Sequence, residues 1–498
     1  MDNSGAPSFG KKVMRIGAAL LLVAGLVTFG RWQLLRPKLS HATLREIESA
    51  LPNGSWEKHV RDTDAIFRMM RLFALAKISR NSNVILLSKD EQSRGELNPI
   101  AHLVWQEQLA AFDQIDRLLK SGPLEYKSES DPEMDSLSFQ SIRNLAKILA
   151  LIGTSSAIEG DFATCKRAIS IDITMIDRFS QANGGFKEYI NLAAIVSVTE
   201  LAIQQIVRLP TCPASLCREW LARLPTTSIS DPLLARSIQT EFQEYTVPRL
   251  SDPTLFVRDL IRHGMGTLDF DSPFEPPEED YVGLGTFDPI PTARLAAKLV
   301  QLEKANTLRP LSQYDPEPDR LVSEQAKGLP EERGRRGTFE RIRFRYLMSN
   351  SKNSIGRALI AFVGGAAIKS SIRTSYHWRA LNEATRILIA TALYRRSHQA
   401  RLPTELSALT PELLQSIPLD PYDGHEMRYS ARDEKVWSVG EDLHDDKGDI
   451  DGRSYSNKDL GLSLRFVVKP ITQGLTDTIS NGGFGWGSGT TNSRRRLP

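Results

Sequence analysis

This sequence has few of the features that identify a common class of protein. Its 498 residues contain only three cysteines, which are too few for a disulfide-rich scaffold. Its 63 basic and 60 acidic residues nearly cancel, so no overall field would attract nucleic acid, and we expect no nucleic-acid partner. It contains no nucleophile elbow, zinc-protease helix motif or dinucleotide-binding glycine motif. Its 41% hydrophobic and 25% charged residues are typical of a globular protein with a large core.

An apolar run without charges lies near the N-terminus, from Ile16 to Gly30. As a helix it spans about 22 Å, which is short for a hydrocarbon core of about 30 Å. Because Arg15 and Arg31 can extend their charges towards the headgroups, residues 13–35 could form a spanning anchor. A cleaved signal peptide and a buried helix are the alternatives, although no A-x-A site follows the run. The short basic tail, residues 1–12, predicts a single-pass protein of the cell membrane with a periplasmic body.

Residues 40–400 have the apolar spacing of helices, and they predict a mainly α-helical body. Gly- or Pro-marked turns separate the apolar runs, which is typical of antiparallel helical hairpins. The segment EGDFATCKRAISID, residues 159–172, resembles the turn and second helix of a tetratricopeptide hairpin. We divide the body into a hairpin region at 40–263, an irregular Pro-rich excursion with one helix at 264–335, and closing helices at 336–400.

Two segments of this body invite a binding site. The acids of the excursion could hold a cation, line a hydrolytic cleft or form a solvated loop; they are Asp269, Asp271, Glu275, Glu278, Glu279 and Asp280. A phosphate loop at Lys369-Ser370 is excluded, because Ile368 occupies the place where glycine is required. Close helix packing is the better account of the small residues Gly364, Gly365, Ala366 and Ala367.

Two of the cysteines, Cys212 and Cys217, have a C-x4-C spacing beside two prolines. This spacing is short enough for a local disulfide in an oxidising compartment. Two unpaired structural thiols are the alternative. A metal site would need two more thiol or imidazole ligands, and no suitable spacing lies nearby.

Residues 401–470 predict a small α+β module. A short helix precedes two strands, at about 426–429 and 435–439, and a third strand is expected at 462–468. An acidic loop follows the second strand and contains five carboxylates, which belong to Asp442, Asp445, Asp446, Asp449 and Asp451. A calcium ion could order this loop, or it could be a solvated surface. Residues 471–498 are rich in Gly, Ser and Thr and are expected to be disordered.

The module resembles the C-terminal part of the major pseudopilin of type II secretion. The matching positions are Pro403, Leu406, Leu409, Pro418, Asp420, Pro421, Tyr422, Gly424, Tyr429, Trp437, Ser438, Gly440 and Asp442. The resemblance implies a calcium site formed by Asp420, Ser438, Asp442 and the acids that follow, namely Asp445, Asp446 and Asp449. The chain lacks the processing site of a pseudopilin and is far longer. As a whole it also looks like bacterial membrane-anchored helical proteins with no assigned function.

These patterns favour a non-catalytic envelope protein that binds or scaffolds an unknown protein partner. The alternatives are an extracytoplasmic hydrolase that uses an acidic cleft, and an accessory part of a secretion or pilus-like machine. His425 and His444 fall within the acidic module and could bind a metal there, or lie on its surface. No constellation of catalytic residues can be assembled from spacing alone.

Overall fold

The computed structural model describes residues 63–80, 97–125, 136–182, 184–225, 231–256, 286–329, 348, 350–364, 366–450 and 459–465. Within these residues the protein is mainly helical and has a small antiparallel sheet, which confirms the predicted class. The predicted anchor at 13–35, the tails at 1–12 and 471–498, the acids at 269–280, and Asp451 lie outside them.

The helices alternate with short turns along the described ranges. In chain order they are α1 (Thr63–Arg80), α2 (Leu97–Lys120), α3 (Ser136–Glu159), α4 (Phe162–Gln181), α5 (Phe186–Val207), α6 (Ala214–Arg223), α7 (Pro232–Glu241), α8 (Val247–Ser251), α9 (Pro289–Asn306), α10 (Glu317–Ala326), α11 (Ser354–Val363) and α12 (Ala366–Ser397). A π-helical turn, Phe242–Thr246, precedes α8, and single 3-10 turns occur at Leu311–Gln313 and Leu406–Leu409.

The described residues fall into two compact units. The larger unit comprises those within His59–Thr240, Lys304–Tyr314 and Ser370–Pro498, and the smaller unit those within Glu241–Glu303 and Asp315–Lys369. The predicted boundary at residue 401 therefore falls inside the larger unit. The other predicted domain boundaries stay predictions.

Helices α1 to α5 form the first layer of the larger unit, and each packs against its neighbours in sequence. The turn between α3 and α4 uses Gly160, whose φ of 85° is accessible to glycine, followed by Asp161 as the N-cap. Within α3, a Cβ at Gly153 would lie 2.7 Å from the Ile169 side chain of α4. The two helices therefore pack closely because glycine occupies this position.

The C-terminal segment shares its core with the helices of the larger unit. Strands β1 (Arg428–Ser430), β2 (Lys435–Ser438) and β3 (Leu460–Ser463) form an antiparallel sheet in the order β1-β2-β3. The first two lie close to the predicted bounds, whereas the third begins two residues earlier than expected and ends at residue 463. Val436 and Leu464 are buried in one apolar cluster with Ile206 of α5, Trp220 of α6 and Leu388 of α12. The sheet therefore completes the helical core.

The smaller unit packs α9, α10 and α11 around small and aromatic residues. The rings of Tyr245 and Phe362 stack with centroids 5.4 Å apart. A Cβ at Gly364 would lie 2.6 Å from a methyl of Leu299 and still closer to Val322. The close packing that was predicted for the small-residue run is confirmed at Gly364.

Two helical stretches of the described chain are long and apolar enough to cross a membrane, namely α5 and the run Ser354–Ser397. In α5, 72% of the most apolar window is buried inside the protein, and in Ser354–Ser397 the share is 60%. This burial is also typical of the core helices of a globular body.

Candidate functional site

Asp420 lies at the centre of the segment that resembles a pseudopilin, and it is fully buried. Its Oδ1 accepts hydrogen bonds from the backbone N–H of Tyr422 at 2.9 Å and from the Ser438 hydroxyl at 2.7 Å. Its Oδ2 accepts from Arg428 Nη1 at 2.7 Å and from the Val439 N–H at 2.9 Å. Burial raises the pKa of Asp420, and these donors partly oppose that shift. Each carboxylate oxygen of Asp420 thus already accepts two hydrogen bonds from groups of the protein itself.

The residues next to Asp420 attach the sheet segment to the rest of the larger unit. The carbonyls of Pro421 and Tyr422 accept hydrogen bonds from the N–H groups of Leu311 and Ser312, at 3.1 and 2.8 Å. The Tyr422 ring lies 5.7 Å from that of Tyr376 in α12. The motif that carries the resemblance therefore forms a structural junction, which spacing alone does not reveal.

The described part of the acidic loop, residues 439–450, contains several internal hydrogen bonds. Asp442 Oδ1 accepts from the His444 N–H at 3.0 Å. Asp445 Oδ1 accepts from the indole N–H of Trp437 at 3.0 Å and from the Lys447 N–H at 2.9 Å. The pKa of Asp445 is lowered, because these donors and nearby cations outweigh its desolvation.

A further acid, Asp459, closes this loop and was missed by the sequence interpretation. It is fully buried and accepts from the N–H groups of Asp446 at 3.2 Å and Gly448 at 2.7 Å. Burial raises its pKa, with opposition from these two donors. In the sequence, Asp459 is marked only as an acid just before an apolar strand. The two residues that donate to its carboxylate lie 11 and 13 positions away, so spacing does not reveal them.

The structure brings Asp420 and Ser438 together but leaves the other predicted calcium ligands on the loop. Asp442 and Asp449 are exposed, and Asp446 is half-buried. His425 and His444 are also largely exposed, and each lies beside an aspartate. Among the described residues, no group of three or more His, Cys, Asp or Glu is arranged to hold a metal ion. Calcium binding stays a prediction.

The predicted cysteine pair is brought together in the larger unit. Cys212 and Cys217 are buried, with their Sγ atoms 3.6 Å apart. Arg396, in the last turn of α12, donates from Nη2 to the Cys212 carbonyl at 2.8 Å, and its Nη1 lies 3.6 Å from Cys217 Sγ. The two free thiols therefore lie in hydrogen-bond contact, with the Arg396 guanidinium beside Cys217.

A buried polar centre that the sequence interpretation missed lies between α5, α7 and α12. Asp231 Oδ2 accepts from the hydroxyls of Tyr189 and Ser375, each at 2.6 Å. Tyr189 in turn accepts from the indole N–H of Trp378 at 2.8 Å. Asp231 Oδ1 caps α7 by accepting from the Leu234 N–H at 2.8 Å. In the sequence, Asp231-Pro232 is a signal for the start of a helix. It does not reveal that Tyr189, Ser375 and Trp378 join the same hydrogen-bond network.

One turn after Ser375, α12 carries a fully buried arginine, Arg379. Its Nε donates to the Ser375 carbonyl at 3.3 Å, and its guanidinium carbon lies 4.7 Å from the centre of the Tyr376 ring. Its two terminal nitrogens meet no hydrogen-bond partner among the described residues. The hydrogen bonds of Asp231 join α5, α7 and α12 around one carboxylate. This centre therefore stabilises the packing of the three helices.

The smaller unit has an open cleft of about 350 Å³ beside the N-terminus of α11. It is lined by Thr286, Phe287, Asp288, Asn350, Ser351, Lys352 and Asn353. Asn353 adopts a left-handed backbone with φ of 50°, and its side chain accepts from the Asp288 N–H at 2.7 Å and donates to Thr292 at 3.0 Å. Both the oxygen and the nitrogen of the Asn353 amide therefore already form hydrogen bonds with residues of the protein itself.

No family model, curated protein or solved structure matches this chain. The contacts of the described residues are therefore the basis for a functional proposal. They give the predicted site residues structural partners, and they add two carboxylates, Asp231 and Asp459, that spacing did not single out.

Asp172 in α4 is fully buried, and its carboxyl oxygens have no hydrogen bond of good geometry among the described residues; the Thr199 hydroxyl is close enough to oppose only part of the effect of burial on its pKa. Burial raises its pKa well above the usual value. The unfolded chain releases this proton near pH ~4, whereas the folded chain keeps it. The protonated Asp172 side chain therefore makes its full contribution to the free energy of unfolding below pH ~4. That free energy falls by about 1.4 kcal/mol per pH unit as the pH rises from there towards the pKa of Asp172 in the folded protein.

We expect Asp172→Asn to raise the free energy of unfolding by about 1–3 kcal/mol at pH 7, with little change at pH 4. Denaturant unfolding at both pH values measures this difference. Asp177→Asn is the matched control, because Asp177 lies on the same helix but is half-exposed and paired with Arg223 at 3.1 Å. An Asp172→Asn protein that is destabilised equally at both pH values would contradict the assignment.

Proposed function

We propose that this chain is a single-pass membrane protein, anchored through residues 13–35, whose periplasmic body binds and holds another protein without catalysing a reaction. The support for the anchor is the charge-free run from Ile16 to Gly30 with its basic flanks. The support for the exported body is the short basic tail before that run. The support for the binding role is the packing of helices α1 to α5, here called the helical layer.

The observation that carries the binding role is the packing of α1 to α5. Each of these helices contacts its sequence neighbours, as in arrays of stacked helical hairpins. Such arrays offer a continuous surface of exposed helix faces to a partner. Phe67 on α1 and Leu103 on α2 contribute large apolar side chains to that surface, with 63% and 52% of their areas exposed.

An accessory role in a secretion or pilus-like machine is a narrower version of this proposal. It rests on the resemblance of residues 401–470 to a pseudopilin, and in that version the partner would be a pseudopilin subunit. The hydrolase alternative rests on the acids at 269–280, which lie outside the described residues, or on those of the acidic C-terminal module.

Site-specific photo-crosslinking in cells that make the full chain tests the proposal. A photoreactive phenylalanine analogue at position 67 or 103 is expected to give one discrete adduct with another protein. The matched control positions are Glu405 and Lys447, which are exposed in the same unit but belong to the C-terminal segment and not to α1–α5. Protease treatment of cells with a permeabilised outer membrane is expected to digest the body.

Two results would contradict the proposal separately. Adducts of equal yield at all four positions would mean unspecific contacts and not a binding surface. A body that resists protease until the inner membrane is broken would place it in the cytoplasm.

A further inference from the structure

The cysteine pair lies directly beneath an exposed turn of the larger unit. Pro210 and Thr211 are exposed, Cys212 follows them, and Cys217 lies in the first two turns of α6. The two sulfur atoms are 3.6 Å apart. A disulfide needs a separation of about 2.05 Å, so the atoms must approach by about 1.5 Å, which side-chain rotation and a small shift of the turn can supply.

Arg396 makes the two thiols unequal. Its guanidinium faces the Cys217 sulfur and is also fixed by the carbonyls of Cys212 and Ala392. The hydrogen bond that Cys217 shares with the Cys212 thiol and the charge of Arg396 lower the pKa of Cys217. The same thiol–thiol hydrogen bond, together with burial, raises the pKa of Cys212. The first proton lost from the pair therefore comes from Cys217.

We propose that Cys212 and Cys217 form a reversible, redox-sensitive disulfide in the folded protein, with Cys217 as the attacking thiolate and Arg396 as its positioning residue. This role is independent of the proposed binding function. Because Cys217 has no exposed surface, the turn at 209–213 must open before a soluble oxidant can reach it.

A low-molecular-weight disulfide such as glutathione disulfide supplies the oxidising equivalents. The Cys217 thiolate attacks one sulfur of this oxidant, a mixed disulfide forms, and one glutathione thiolate leaves. Cys212 then loses its proton and attacks Cys217 Sγ, which expels the second glutathione thiolate. Two electrons pass from the cysteine pair to the oxidant, and the two leaving thiolates take up two protons.

Thiol counting on the full chain tests this step. The detergent-solubilised protein is incubated with excess glutathione disulfide, quenched with acid, denatured, alkylated with a maleimide and weighed by mass spectrometry. We expect two of the three thiols to disappear together and to return after dithiothreitol treatment. Cys165→Ser is the matched control, because Cys165 is buried in the same core cluster and its pKa is raised by burial to about 12.

The variants separate the two roles of the pair. We expect Cys212→Ser to stop at a mixed disulfide that carries one glutathione, and Cys217→Ala to keep its remaining thiols free. Arg396→Gln is expected to slow oxidation about tenfold at pH 7 and to move its pH dependence upwards, and Arg396→Lys to restore part of the rate. Circular dichroism shows whether each variant is folded.

Three alkylated thiols in the folded wild-type protein would overturn the proposal. So would oxidation that occurs only after denaturation, because the disulfide would then be a folding product and not a redox-sensitive bond. An Arg396→Gln protein with an unchanged rate and pH profile would remove Arg396 from the step.

Discussion

Replacing Asp420 with alanine is expected to lower the free energy of unfolding by about 3–5 kcal/mol. The change leaves the Arg428 guanidinium, the Ser438 hydroxyl and two backbone N–H groups without their buried acceptor. Arg428 keeps its ion pair with Asp423, so the loss comes mainly from the buried hydroxyl and the two N–H groups, each of which costs about 1–3 kcal/mol when it is left unpaired. Thermal and denaturant unfolding of the purified full chain, followed by circular dichroism, measures the loss.

Asp442→Ala is the matched control for this experiment. Asp442 is exposed, belongs to the same segment, and accepts a hydrogen bond from the His444 N–H. We expect its replacement to change the stability by no more than about 0.5 kcal/mol. If the two variants lost equal stability, Asp420 would not be the structural junction described above.

Replacing Asp231 with alanine is expected to cost about 3–4 kcal/mol for a different combination of reasons. About 1 kcal/mol comes from the lost N-cap of α7. The remainder comes from two buried hydroxyls, those of Tyr189 and Ser375, which lose their acceptor. The same unfolding measurements apply.

Asp161→Ala separates these two contributions. Asp161 is the exposed N-cap of α4 and accepts from the Thr164 N–H at 3.1 Å, so its loss should cost only about 1 kcal/mol. A double-mutant cycle of Asp231→Ala with Tyr189→Phe should then reveal a coupling energy of about 1–2 kcal/mol. No coupling would contradict the hydrogen bond between these two side chains.

The helical character could be predicted from the sequence because it depends on local spacing. The apolar residues near 66–75, 103–118 and 142–152 fall within α1, α2 and α3, and the turn at Gly160 lies where it was expected. The strand at Lys435–Ser438 was also found, because alternation and a turn mark it. Local pattern does not reveal which helices the sheet packs against. That depends on partners such as Ile206 and Val436, which are more than 200 positions apart.

The candidate site could be predicted only in part for the same reason. Asp420 and Ser438 were selected together through a family resemblance, and the structure places them in hydrogen-bond contact. The contacts of Asp420 with Arg428 and Val439 give it a role within the fold that the motif does not specify. Asp231 and Asp459 carry no such motif, and their importance follows from burial and from distant donors.

The shared core also has a consequence for the order in which the nascent chain can fold. Core residues from Ala150 to Leu224, such as Ile169 and Trp220, are synthesised long before Val436 and Leu464, yet they share one apolar cluster with them. The helices that are synthesised first therefore expose apolar side chains until the C-terminal sheet is made. Chaperones recognise such exposed apolar surface, and it aggregates readily. A premature stop codon after residue 400 would leave that face permanently open. Such alleles should behave as complete losses of the protein, even though every helix of the body would still be encoded.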